Sequence, residues 1–188
     1  MNWFSRPPVK ETVVYHYDST AVKATLYRPS GEGKYGAIVF SLGVTPNYED
    51  PLLISLVDGL ARVGIAVLVP ESPYLSQGLL VPEEVDSLVA AFQFMRKQPF
   101  VDPDRLGFGG FCVGASLATL AAGDERINDQ VVFVSFFGGY YDPLEVMKAV
   151  IGERIEHDGV EEPWQPHSLT REVFISHLIG ALESPEDR

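Results

Sequence analysis

The residues with chemistry to offer surround the chain's only cysteine, in the stretch Gly110-Phe111-Cys112-Val113-Gly114. Before it, residues 106–110 form a short apolar run closing on glycines, and after it, residues 115–122 form a run of small helix-compatible residues. Strand, sharp turn and helix therefore meet at Cys112. A reactive side chain carried on a strained strand-to-helix turn needs glycines two before and two after it, because neighbouring Cβ atoms would otherwise clash. The common form of that turn is G-x-S-x-G, and here cysteine stands in the serine position. A thiolate is intrinsically a strong nucleophile, and the N-terminus of a following helix favours it electrostatically. The same residues also admit a structural reading, in which Cys112 is a small buried hydrophobe and the glycines allow close helix-strand packing. Gly107 and Gly109 begin a dinucleotide-type G-x-G-x-x-G, but Cys112 stands where its third glycine belongs. No acidic residue lies at a strand end about twenty positions on, so nucleotide binding is not indicated.

Such a turn has to be held by a sheet, and the composition allows one. The 188 residues suffice for one domain with a substantial core, and 46% hydrophobic with 21% charged residues is ordinary for a soluble globular chain. The net charge of -12 argues against nucleic acid or an anionic membrane surface as partner, since both need clustered Lys and Arg. A single cysteine excludes an intrachain disulfide and fits a reducing compartment. Residues 1–10 lack the apolar region of a secretory signal, and no apolar stretch is long enough to span a bilayer. A cytoplasmic location is the expectation.

Taken in order, residues 12–17 and 21–27 are rich in β-branched and aromatic side chains around a turn at 18–20, and read as an antiparallel pair. Residues 37–41 are a continuous apolar run, as in a strand buried on both faces of a parallel sheet, and a glycine-containing turn at 42–47 follows. Asp50 and Pro51 mark a helix start, with Leu53, Leu56, Val57 and Leu60 at helical spacing and Gly64 in the left-handed closing position. Residues 65–69 are a second buried strand. The loop 72–81 leads to a helix opened by Glu83 and Glu84, closed by Arg96 and Lys97, and striped by Val85, Leu88, Val89, Phe92 and Met95. Residues 101–105 read as a turn into the cysteine-bearing strand, and 131–137 as a further strand. Alternation of strands and helices predicts an α/β fold: a doubly wound, mostly parallel sheet with an N-terminal antiparallel strand pair.

Beyond residue 142 the pattern changes. Residues 144–151 and 169–182 are helix-like, and the acidic stretch between them, with Gly159, Pro163 and Pro166, reads as loop, with no further strand. The expected organisation is a core over 1–141 and a helical, cap-like or terminal segment of the same domain over 142–188.

Several segments together resemble the α/β-hydrolase superfamily, and within it the dienelactone hydrolase branch, which also carries cysteine at the elbow. They are Pro29, residues 37–44, residues 60–70, residues 101–107 and Gly110 to Ala115, within a coverage of about 12–142. The resemblance implies that Cys112 is the nucleophile and that the N–H of Val113 is one oxyanion-hole donor. The second donor falls on the turn Leu42-Gly43-Val44, with the N–H of Val44 the best placed; Leu42 replaces the family's histidine there. In the family the acid and then the histidine follow later strands, and neither strand is visible here. Asp142 has a position some hydrolases use for the acid, but Asp142-Pro143 is equally a helix start. No histidine is assigned. His16 is out of order, His157 and His167 lie in loop-like sequence, and His177 lies in an apolar helix.

The resemblance thus implies a shortened hydrolase without the closing strands. Its substrate would be a small-molecule ester, lactone or thioester, with no metal or organic cofactor. The alternative is a catalytically incomplete binding or interaction module, or a fragment whose exposed sheet edges would let it associate with itself as a homo-oligomer. No sequence code assigns substrate-binding residues; Tyr140, Tyr141 and Trp164 read as packing aromatics that could also line a pocket.

Overall fold

A computed structural model describes residues 6–181, and their contacts divide the chain into two compact units, Met1–Gly139 and Tyr140–Arg188. The first unit holds β1 (Val9–Tyr17), β2 (Thr20–Arg28), β3 (Tyr35–Ser41), α1 (Pro51–Arg62), β4 (Ile65–Pro70), α2 (Glu83–Arg96), β5 (Val101–Phe111), α3 (Val113–Ala122) and β6 (Val134–Phe137). These strands make one six-stranded sheet in the order β1-β2-β4-β3-β5-β6. β1 pairs antiparallel with β2 and β2 with β4, while β3, β4, β5 and β6 run parallel. The fold is α/β with a mostly parallel sheet and an antiparallel N-terminal pair, as the alternation of elements predicts.

The continuous apolar runs become the buried centre because helices cover both faces. On one face Val57 and Ala61 of α1 pack with Ile38, Phe40, Val67, Val69 and Tyr27. Side chains of opposite parity point the other way. Phe108, in register with Val39, stacks on Phe92 of α2 with ring centroids 5.3 Å apart, and both rings are fully buried. The punctuation of α1 follows its sequence: the Asp50 carboxylate accepts the Leu52 N–H at 2.7 Å, Pro51 occupies the first turn, and Gly64 takes φ 96 just past the end.

Two details differ from the sequence expectation. β5 begins at Val101, but its register against β3 jumps from Tyr35↔Val101 to Ala37↔Leu106, so residues 102–105 bulge out of the ladder. Asp102 organises this bulge by accepting the Asp104 N–H and pairing with Arg105. The predicted turn is therefore a bulge within one strand. β6 is shorter than 131–137, although Val132 and Phe133 still bond to β5 through Val132 N–H to Leu106 O and Phe108 N–H to Phe133 O. Among the described residues no strand pairs with the outer side of β6, and Phe137 is 54% exposed.

The second unit contains α4 (Pro143–Gly152), β7 (Arg154–His157), β8 (Val160–Pro163) and α5 (Ser168–Ala181). β7 and β8 form an antiparallel hairpin where loop was expected. Asp158 and Gly159 both adopt positive φ, 52° and 78°, the two-residue type I′ turn that Asp-Gly favours. All eight hairpin residues are exposed, so no apolar alternation marks the strands. Tyr140 packs against Phe174, whereas Tyr141 is fully exposed and is not the packing aromatic expected. Leu182, the expected end of the last helix, lies outside the described residues.

Candidate active site

β5 and α3 meet at Cys112 with no intervening residue, so the chain must reverse within one residue, and Cys112 takes φ 55, ψ -138. A non-glycine residue in that region costs on the order of 1–3 kcal/mol and persists only where its surroundings fix it. Two backbone bonds do so: Cys112 N–H donates to Phe137 O of β6 at 2.9 Å, and Cys112 O accepts from Ala115 N–H at 3.0 Å. The flanking glycines are required by proximity. A Cβ on Gly110 would lie 2.7 Å from Ala115 N, and one on Gly114 would lie 2.6 Å from both Leu42 C and Ser41 O. Phe111 braces the turn, edge-on to Phe40 at 5.0 Å and tilted against Phe137 at 5.6 Å. The Cys112 side chain is exposed, not the buried hydrophobe of the structural reading.

The turn after β3 comes up against this cysteine. β3 and β5 are neighbours in parallel register, so their C-terminal ends emerge side by side. A Cβ on Gly43 would sit 3.0 Å from Cys112 Cβ and 3.4 Å from its Sγ, so the absence of a side chain lets this turn approach the thiol. Beyond it Thr45 is held at φ 47 and donates its N–H to Leu75 O at 2.7 Å. Val113 opens α3, where first-turn N–H groups have no partner within the helix. The structure thus brings Cys112, Val113 and the Leu42-Gly43-Val44 turn together, within the first unit.

Asp142, His157, His167 and His177 belong to the second unit, and His16 to the first. Asp142 caps α4, its Oδ1 accepting the N–H of Leu144 at 2.8 Å and of Glu145 at 3.3 Å. His16 is on β1, four strands from β5, roughly 19 Å at the usual spacing between strands. His157 ends β7, with Asp158 3.6 Å away, and is not in a loop. His167 accepts the Leu169 N–H through Nδ1 at 3.2 Å, and His177 bonds through Nδ1 to Val173 O at 2.8 Å within α5. Among the described residues no group of three or more His, Cys, Asp or Glu is placed to hold a metal, and no helix is long and apolar enough to cross a membrane.

One acid escaped the sequence reading. Glu84 looks like a solvent-facing first-turn acid of α2, yet it is 3% exposed. The signal was its spacing: positions 84, 88, 92 and 95 share one helical face, and the last three are the buried stripe.

Residues 74–164, which include Cys112, Val113 and Asp142, match the model of the Dienelactone hydrolase family. Among solved structures, a dienelactone hydrolase from Anabaena variabilis superposes with TM-score 0.56 at 21% identity, over 71% of this chain and 65% of that one. A hypothetical protein from Pseudomonas aeruginosa gives 0.59 at 22%, over 78% and 46%, and an esterase from Pyrobaculum calidifontis gives 0.55 at 19%, over 66% and 42%. Among curated proteins none matches the sequence. The chain thus spans about 65% of the length of the dienelactone hydrolase it matches. Its sheet, its cysteine-bearing elbow and the matched stretch make it an α/β-hydrolase-fold chain that resembles the dienelactone hydrolase family.

Proposed function

We propose that this chain is a hydrolase of the dienelactone hydrolase type, acting on a small-molecule ester, lactone or thioester with Cys112 as nucleophile. The observation that carries the reading is the strained, exposed Cys112 facing a glycine turn that approaches its Sγ. Sγ adds to the substrate carbonyl carbon, and the carbonyl π pair moves onto oxygen, where the N–H groups of Val44 and Val113 receive it. Collapse of the adduct breaks the bond to the leaving group, which carries away the thiol's proton and leaves an acyl-cysteine. Water then adds to that thioester, releasing the acid and restoring the thiol. Asp142 is the acid candidate, with its Oδ1 engaged as a helix cap. The site of action proposed is the cytoplasm.

A second reading, a catalytically incomplete binding or interaction module, is favoured by the histidines. The only one within residues 1–139 is His16, far along the sheet from Cys112. Intact-mass analysis after mixing with a p-nitrophenyl ester, with p-nitrophenol release followed alongside and Cys112→Ala as control, separates the two. Turnover that the control lacks is expected. An acyl adduct that persists would show a nucleophile without a deacylating base, and no adduct with no release above the control would sink the enzyme reading.

A further inference from the structure

We infer that Glu84 is a positioning residue for the turn that carries the Val44 amide, acting through Ser72 and Leu75; the catalytic meaning of this rests on the reading just proposed. A carboxylate is costly to bury unless it is hydrogen-bonded. The partner of Glu84 is the Ser72 hydroxyl, also buried, which donates to Glu84 Oε1. With its hydrogen committed there, Ser72 Oγ accepts the Leu75 N–H at 2.9 Å. This fixes the short 3-10 turn Leu75–Gln77, and Leu75 O in turn accepts the Thr45 N–H at 2.7 Å.

A second tie reinforces the first. Ser72 N–H donates to the Tyr48 hydroxyl at 3.0 Å, and Ser76 Oγ closes onto Ser72 O at 2.6 Å. The segment from Gly43 to Tyr48 is therefore held at Thr45 and at Tyr48 by one loop, and that loop is anchored on Glu84. The anchor is itself fixed, since Ser87, one turn along α2, bonds to the buried Tyr15 hydroxyl of β1 at 2.9 Å. Thr45 at φ 47 is what such a brace is needed for, because a β-branched residue leaves that region when its restraints are removed. Glu84 touches no reacting atom. It sets where the turn beside Cys112 lies.

The test compares wild type, Glu84→Ala, Glu84→Gln and Ser72→Ala as full chains. Amide hydrogen exchange at Thr45 should quicken at least about tenfold in Glu84→Ala and Ser72→Ala, while Val39 and Leu68 in the sheet stay protected. Glu84→Gln should stay near wild type, because its amide oxygen still accepts the Ser72 hydroxyl. Acylation of Cys112 by p-nitrophenyl acetate should fall at least about tenfold in the same two variants, a fraction of what losing a whole oxyanion donor costs. Alkylation by iodoacetamide, which forms no oxyanion, should keep its rate. Unchanged Thr45 exchange in Ser72→Ala and Glu84→Ala overturns the inference, as does equal slowing of both reagents together with loosened sheet amides. If Glu84→Ala does not fold, Ser72→Ala against Glu84→Gln decides. If wild type is not acylated at all, the nucleophile reading fails, and Thr45 exchange still decides the brace.

Discussion

Replacing Gly114 with alanine sets the structure against helix propensity. Gly114 is the second residue of α3, where alanine would ordinarily gain about 0.5–1 kcal/mol. The added Cβ, however, would run closest into Leu42 O and would lie 2.6 Å from Leu42 C and from Ser41 O, at least 0.8 Å inside the 3.4 Å at which ordinary contact begins. Both neighbours are backbone at the end of β3 and cannot rotate away, so α3 must retreat and take Val113 and Cys112 with it. Because the neighbours are backbone, the overpacking cost falls in the upper part of the usual range, about 2–3 kcal/mol, which leaves a net loss of about 1–2.5 kcal/mol after the helix gain. With an m-value of about 2 kcal/mol/M the urea midpoint should drop by about 0.5–1.2 M. Displacing the proposed nucleophile and oxyanion donor by nearly an ångström should slow acylation of Cys112 about 10²-fold. Gly59→Ala is the control, since a Cβ at Gly59 in α1 meets nothing within 4 Å, and it should raise the midpoint. If Gly114→Ala is as stable as wild type and is acylated at the wild-type rate, close backbone approach is not what builds the elbow.

Glu84 should leave a mark on the pH dependence of stability. Burial raises its carboxyl above the ordinary range, the Glu83 charge adds to this, and the Ser72 hydrogen bond opposes it. The folded chain then keeps the proton to higher pH than the unfolded one, so the contribution of Glu84 is fullest at acid pH and is lost as pH rises from the ordinary glutamate value through the folded value. The stability of Glu84→Gln relative to wild type should therefore climb between pH 4 and pH 7 in urea titrations; a constant gap refutes this. Tyr15→Phe removes the buried bond to Ser87 and should cost about 1 kcal/mol, read from the same midpoints. At Asp142, alanine should cost the second unit about 1 kcal/mol by thermal melting and asparagine almost nothing, because asparagine caps equally well. Ester hydrolysis unchanged in Asp142→Asn would remove this residue from the catalytic reading.

The elements were legible wherever one local cause determined them. The apolar runs in β3 and β4 announce strands buried on both faces, Asp50 and Pro51 fix the start of α1, and Gly110 and Gly114 announce a turn in which any side chain would crowd the neighbouring backbone. The hairpin of the second unit was missed because its only signal is the Asp158-Gly159 turn; strands exposed on both sides carry no apolar alternation. Glu84 was missed because its position satisfies two rules at once, a first-turn acid and a place on the buried stripe, and only the facing Ser72 shows which rule governs.

The site itself depends on strand order more than on residue type. Gly43 and Cys112 are far apart in sequence and meet because β3 and β5 are parallel neighbours whose C-terminal ends open on the same edge of the sheet. A general base acting on Cys112 from this sheet would have to stand at a strand end as near as that of β3. His16 has the right chemistry on the wrong strand: β2, β4 and β3 separate β1 from β5, and no imidazole side chain spans roughly 19 Å. On the proposed reading acylation therefore depends on the two turns that the sheet brings together, and deacylation on a base other than His16.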